Sequence, residues 1–209
     1  SIDFVKLLRR HLKLRGLVLG PDASLGRDRE GTVNRLRAAG ETMGFTVADI
    51  PFETINGEVI SSTAIRNALA AGNITRATSM LGRYYSISGP VISTSRRSSL
   101  LGFPFPTANL NAGPERALPA NGVYATIAHT CGARHRAVTN VGHRPTFGDT
   151  EHIVETHILD FSGNIYGSTL KVEFVARIRD EKRFEDLDTL VAQIHQDIAT
   201  AQRLVGDLP

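Results

Sequence analysis

The chain has 209 residues, enough for one large or two small domains, and its 41% apolar content excludes general disorder. No apolar run approaches the roughly 20 residues of a membrane-spanning helix, and no signal peptide is visible at the start. The single Cys131 excludes an intrachain disulfide and a cysteine metal cluster, so a reducing cytoplasm is predicted. The formal net charge is +3, but it is unevenly spread: residues 83–147 carry seven basic residues against Glu115 alone, and residues 148–209 carry six basic against twelve acidic. One part could therefore face phosphate while the other supplies carboxylates, or both could be solvated faces. Aromatic residues are only 6% of the chain and no dense basic stripe occurs, so no nucleic acid and no membrane are predicted as partners.

Residues 1–80 read as α/β. Phe4, Val5, Leu8 and Leu12 have helical spacing, and "GLVLG" is a short buried-strand candidate ending on Gly20. "EGTVNRLRAAGETMG" reads as a helix capped by Thr32 and ended by Gly44, and "FTVADI" as a second strand. "SSTAIRNALAAG" and "ITRATSMLG" read as short helices, each closed by a glycine. This order suggests a fragment of a parallel, doubly wound sheet, since two strands alone make no stable layer of that kind. From residue 84 the pattern changes. "YYSISGPVIST", "GVYATIAHT", "RHRAVTNVG", "HIVETHILDF" and "TLKVEFVARI" are short strand candidates separated by turn residues, as in an antiparallel barrel or sandwich. A last helix, with Phe184, Leu187, Val191, Ile194 and Ile198 on one face, is predicted to pack against them. The expected boundary lies near "LGRYYS", giving domains 1–82 and 83–209.

Four places carry candidate chemistry. In "GFPFPTANL" the prolines remove backbone donors, which argues against an interior strand. If the segment is extended, Thr107 and Asn109 face the same way. They are then either hard oxygen ligands for Mg²⁺ and phosphate or simply turn residues. In "HIVETHILDF" alternation puts Ile153, Glu155, His157, Leu159 and Phe161 on one face. Glu155 among apolar neighbours would have a raised pKa and suit a general base, the alternative being a solvated or Arg-paired side chain; His157 reads as a rim histidine. In "NVGHRPTFGD" the glycines bracket a rigid loop with Arg144 at its tip, which could bind phosphate, stack on a ring, or be structural. Ser61, Ser62 and Thr63, with Arg66 one turn on, form either a phosphate-binding helix start or a plain N-cap.

The ordered set "PTANL", "NGVYA", "NVGHRPTFG", "VETHILDFSGNIYG" and "EKRF" resembles the bacterial bifunctional riboflavin kinase/FAD synthetase family. That resemblance implies a six-stranded antiparallel β-barrel with a C-terminal helix, transferring the ATP γ-phosphate to the riboflavin 5′-hydroxyl to give FMN and ADP. It implies that Thr107 and Asn109 hold Mg²⁺ and the nucleotide phosphates, that Glu155 is the base, and that Arg144 helps cover flavin or phosphates. Residues 1–82 resemble the second half of the family's Rossmann-like nucleotidyltransferase domain, with Gly20, Asp22, Ser62, Thr63 and Arg66 as the matching positions. The family's H-x-G-H motif for ATP phosphates does not occur, so FAD synthesis by this chain alone is not expected, and an incomplete sheet would favour self-association. Two departures stand out: Ala23-Ser24-Leu25 follows Asp22 where the family has an aromatic, and an extra Phe103-Pro104 separates Gly102 from the Thr107 motif. The alternatives are a flavin- or nucleotide-binding module without catalysis, or an adenylyltransferase completed by another chain.

Overall fold

The computed structural model describes residues 2–92, 105–113, 115–145 and 150–208, and divides into two compact units, residues 1–60 and 61–209. The first contains α1 (Ile2–Leu12), β1 (Gly16–Leu19), β2 (Ser24–Leu25), β3 (Gly31–Thr32), α2 (Val33–Met43), β4 (Thr46–Asp49), β5 (Thr54–Ile55) and β6 (Glu58–Val59). β1 and β4 pair in parallel from Gly16 opposite Thr46 to Leu19 opposite Asp49. The ends of α2 follow the sequence signals: the Thr32 hydroxyl accepts the Arg35 amide, and Gly44, at φ 70°, takes the left-handed turn that closes the helix. The core of this unit is small, built on Val5, Leu36 and Phe45. "GLVLG" forms its strand but is not buried as expected. Among the described residues β1 pairs only with β4, and Val18 remains 65% exposed. α1 likewise buries Val5 and leaves Phe4 and Leu12 in solvent.

The second unit opens with α3 (Ser62–Ala70) and α4 (Ile74–Leu81), whose Ala68, Leu69, Ile74 and Ala77 join the core of the barrel that follows. Its strands are β7 (Tyr85–Ile92), β8 (Ala108–Leu110), β9 (Gly122–Thr130), β10 (Ala133–Pro145), β11 (Thr150–Ile158) and β12 (Thr169–Arg179). They close in the order β10–β11–β8–β7–β12–β9, every pair antiparallel. Closure leaves no sheet edge to protect. Tyr124, Phe174, Leu170 and Val172 are fully buried in the core, with the Tyr124 and Phe174 rings meeting edge to face at 5.3 Å. Three fully buried threonines hydrogen-bond in a row, Thr126 to Thr139 at 2.8 Å and Thr139 to Thr156 at 3.0 Å, and Thr126 also donates to the Ala137 carbonyl. Each thus has the partner that a buried hydroxyl requires.

β8 corrects one expectation. Its two prolines lie before the strand, so Ala108–Leu110 can be an interior strand bonded to β11 on one side and β7 on the other. The final helix, α5 (Leu187–Val205), packs on β9, β10 and β12. Its N-cap is Asp186, which accepts the Thr189 amide at 2.7 Å. Its inward face is rotated from the predicted stripe: Leu187 is 56% exposed, whereas Asp197 and Ala201 are buried.

Candidate active site

The side chains of β11 alternate between the two faces of the barrel wall. Val154, Thr156 and Ile158 are buried, which turns Glu155 and His157 to the opposite face. Register then sets Glu155 directly across from Asn109 on β8 and from Asn140 on β10. Directly opposed residues share a face with Cβ atoms about 5 Å apart, so a carboxylate stands between two amides. The expected alternation stops there: β11 ends at Ile158, and Asp160 turns the chain through a left-handed φ of 55°. Phe161 consequently leaves the Glu155 face and packs against the barrel core.

Between this wall and α5 lies a cleft of about 320 Å³. Glu155, His157 and Val138 line it from the strands, Ile194 and Asp197 from α5, and Phe105 and Thr107 from the segment entering β8. The residues after β12, Glu181 to Phe184, close one side through Glu181, Lys182 and Phe184. A second hollow, of about 460 Å³, is bounded by Pro106, Thr107, Ala108 and the 161–166 turn. Thr107 borders both. Asn109, two residues on in β8, is buried, 7% exposed.

The cleft has a charged pin that the sequence reading missed. Arg179 donates Nε to both carboxylate oxygens of Asp197 at 3.0 and 3.1 Å, and Nη2 to Oδ2 at 2.8 Å. Gln193 adds a third donor to Asp197 at 3.0 Å, and the Arg179 guanidinium lies 5.7 Å from the Phe184 ring centre. Irregular pairing of β12 with β9 between Phe174 and Ala176, and again between Arg177 and Arg179, shifts the register that carries Arg179 to this position. Gly142 on β10 is the other missed contributor. A Cβ there would lie 2.2 Å from Glu181 Oε1, so the bare backbone makes room for the Glu181 carboxylate.

The other sequence candidates fall elsewhere. Arg144 is in strand β10, opposite Glu151, rather than at a loop tip, because β10 runs on to Pro145. Its Cα is four residues from the Asn140–Glu155 row, about 13 Å along the strand. Ser61 caps α3 by accepting the Ala64 amide, so Ser62 and Thr63 lie inside the first turn instead of before the helix. Arg66 Nη2 donates to Thr63 Oγ1 at 3.3 Å. Gly20 accepts the Ala23 amide in the turn after β1, and Asp22 accepts Arg29 Nη2 through its main-chain carbonyl. Gly20 and Asp22 belong to the first unit and Ser62, Thr63 and Arg66 to the second. Gly102 and the Phe103-Pro104 insertion lie outside the described residues.

The sequence model described as "Riboflavin kinase" matches residues 81–205, more than half of the chain and all six barrel strands with α5. The chain belongs to the riboflavin kinase family. A second model, described as "FAD synthetase", matches residues 1–64. Among curated relatives, the bifunctional riboflavin kinase/FMN adenylyltransferase of Haemophilus influenzae is 38% identical over 196 residues, covering 93% of this chain and 63% of its own length. Its namesake from Pseudomonas fluorescens is 37% identical over 208 residues, 99% of this chain and 66% of the relative. The chain thus spans slightly less than two thirds of these relatives. A solved structure titled as a macrolide-efflux protein from Streptococcus pneumoniae superposes with a TM-score of 0.77 at 33% identity, covering 88% of this chain and 58% of that one. No helix among the described residues of this riboflavin kinase family chain is long and apolar enough to cross a membrane.

Proposed function

We propose that this chain is a riboflavin kinase, transferring the γ-phosphate of ATP to the 5′-hydroxyl of riboflavin to release FMN and ADP. The observation that carries the reading is the position of Thr107 at the meeting of two hollows, one of them lined by Glu155. Phosphoryl transfer needs two substrates brought end to end, with charge neutralised at the junction and a base beside the acceptor. In this reading the cleft under α5 receives the flavin and its ribityl chain. Its apolar lining includes Phe105, Val138, Phe184 and Ile194, suited to a flat ring system. The second hollow receives the nucleotide, with its phosphates directed at Thr107.

Glu155 accepts the proton of the 5′-hydroxyl as oxygen attacks phosphorus and the bond to the ADP oxygen breaks. Asn109 and Asn140, opposite Glu155 on either side, fix the carboxylate's surroundings. A divalent cation fits the donor chemistry: the Thr107 hydroxyl and the Asn109 amide oxygen are hard oxygen donors, and Asn109 is held buried by its strand. Those two residues would hold Mg²⁺, which would neutralise phosphate charge when bound. Arg144 remains a proposed contributor to covering the substrates. Gly20, Asp22, Ser62, Thr63 and Arg66 belong, in the same reading, to an adenylyltransferase segment. A cytoplasmic setting, domains divided at 82/83, and self-association through the exposed apolar residues of the first unit complete the proposal.

The test is ATP-dependent conversion of riboflavin to FMN, with and without Mg²⁺, in the parent chain and in Glu155→Gln. General-base removal is expected to lower kcat by about 10²- to 10⁴-fold, with riboflavin affinity, read by flavin fluorescence, nearly unchanged. An unaltered rate would remove Glu155 from the base role. Riboflavin binding without turnover in the parent chain would instead favour a binding module.

A further inference from the structure

His157 is two residues beyond Glu155 on the same face of β11, and it also touches the loop that carries Thr107. Its Nδ1 lies 2.8 Å from the main-chain oxygen of Pro106. A carbonyl oxygen only accepts, so Nδ1 bears the hydrogen and donates it. The Phe105 ring meets the His157 ring edge to face at 5.5 Å and 83°, and the His195 ring of α5 at 5.2 Å and 79°. Phe105 is 9% exposed. Three elements are thereby tied at one point: the wall strand, the cleft helix and the segment entering β8.

Pro106 has no N–H to donate, and pairing of β8 with β11 begins only at Ala108 opposite Thr156. Thr107 therefore lies between a proline and the first laddered residue. A side-chain anchor of this segment is the His157 bond to the preceding carbonyl.

We propose that His157 is a positioning residue: its Nδ1–H bond to the Pro106 carbonyl, braced by Phe105 against His195, holds Thr107 where the two hollows meet. This rests on the reading of Thr107 as a phosphate-binding side chain. His157 does not touch the transferred group; it acts on nucleotide binding through the loop. It lines the cleft under α5 but not the second hollow, so a change in nucleotide binding on its loss is transmitted by the loop.

Two variants separate the bond from the ring. His157→Phe keeps the aromatic edge contact and removes the donor. His157→Asn places an amide N–H close to the Nδ1 position and removes the ring. Binding of ADP with Mg²⁺ is measured by calorimetry, riboflavin binding by fluorescence, and folding by thermal melting. The expected result is a loss of ADP affinity of about fivefold in His157→Phe, with the riboflavin measurement reporting separately on the cleft that His157 also lines. His157→Asn should recover most of the ADP affinity. Nitrogen-detected NMR of the parent chain should show the Nδ1–H tautomer of His157. An Nε2–H tautomer, or unchanged ADP binding in a folded His157→Phe, overturns the proposal alone. So does His157→Asn binding ADP no better than His157→Phe at the same melting temperature. A parent chain that neither binds ADP nor makes FMN overturns the kinase reading, and the positioning role with it.

Discussion

Asp197 is a carboxylate at 2% exposure, and Arg179 and Gln193 satisfy it with hydrogen bonds. Removing one partner of a buried ion pair leaves the other desolvated and uncompensated, at about 3–5 kcal/mol. Asp197→Ala is therefore expected to lower stability by about 3 kcal/mol in urea denaturation, mostly through the stranded Arg179. The double variant Arg179→Met/Asp197→Leu should recover much of that loss, because an apolar pair of similar volume carries no desolvation cost. A single variant that loses under about 1 kcal/mol would show that water reaches the guanidinium. At this scale the sequence is legible where a residue's chemistry and its neighbours' spacing suffice. Thr107, Asn109 and Glu155 stand out on those grounds as candidates, and the register sets Asn109 against Glu155. The Arg179–Asp197 pair was not legible. Its members are 18 residues apart, and the irregular pairing that carries Arg179 to the cleft leaves no mark in the pattern of side chains.

Elements carry their own electrostatics, and β12 shows it on its solvent side. Glu173 accepts Lys171 Nζ at 2.6 Å and lies 3.1 Å from His129 Nε2 on β9. Burial alone would raise the Glu173 carboxyl, but hydrogen bonds and charge from Lys171 and His129 outweigh it and leave its pKa below the usual glutamate range. A carboxyl depressed in the folded state adds stability above its unfolded pKa and loses it as pH falls through the folded value. The stability difference between the parent chain and Glu173→Gln, from denaturation midpoints, should thus persist at about pH 6 and close as pH falls below about 4. A difference independent of pH over that range would rule out the carboxylate charge as its source. Strands β7 and β9 to β12 are legible as β-rich runs bounded by turn residues, because each runs eight residues or more. β8 is not. At three residues it is too short to show a period, and the prolines beside it point the other way. The face of α5 is legible in part: Ile194 lines the cleft, but the buried centre is Asp197, which a hydrophobic pattern counts as outward.

For the whole molecule, the contrast is between a closed barrel and an open fragment. The barrel pairs every strand on both sides, whereas the parallel pair β1–β4 has no further neighbour among the described residues. Val18, Ile50 and Phe52, on and after those strands, are 65%, 52% and 46% exposed. A doubly wound nucleotide site needs the carboxyl ends of several parallel strands to form its crevice, and a single pair supplies one side of it at most. The residues that would bind ATP phosphates for adenylyl transfer, by the H-x-G-H pattern of the family it resembles, are also absent from the 209-residue sequence. The two reactions should therefore separate. Incubated with riboflavin, ATP and Mg²⁺, the chain is expected to accumulate FMN, and with FMN and ATP it is expected to form no FAD, both followed by liquid chromatography. Because FAD would require FMN as its precursor, the second incubation is informative even if the first is slow. FAD produced from FMN by the purified chain would mean that residues 1–82 complete an adenylyltransferase site without that motif. FAD produced only when a second polypeptide is added would mean that another chain supplies the rest of the sheet.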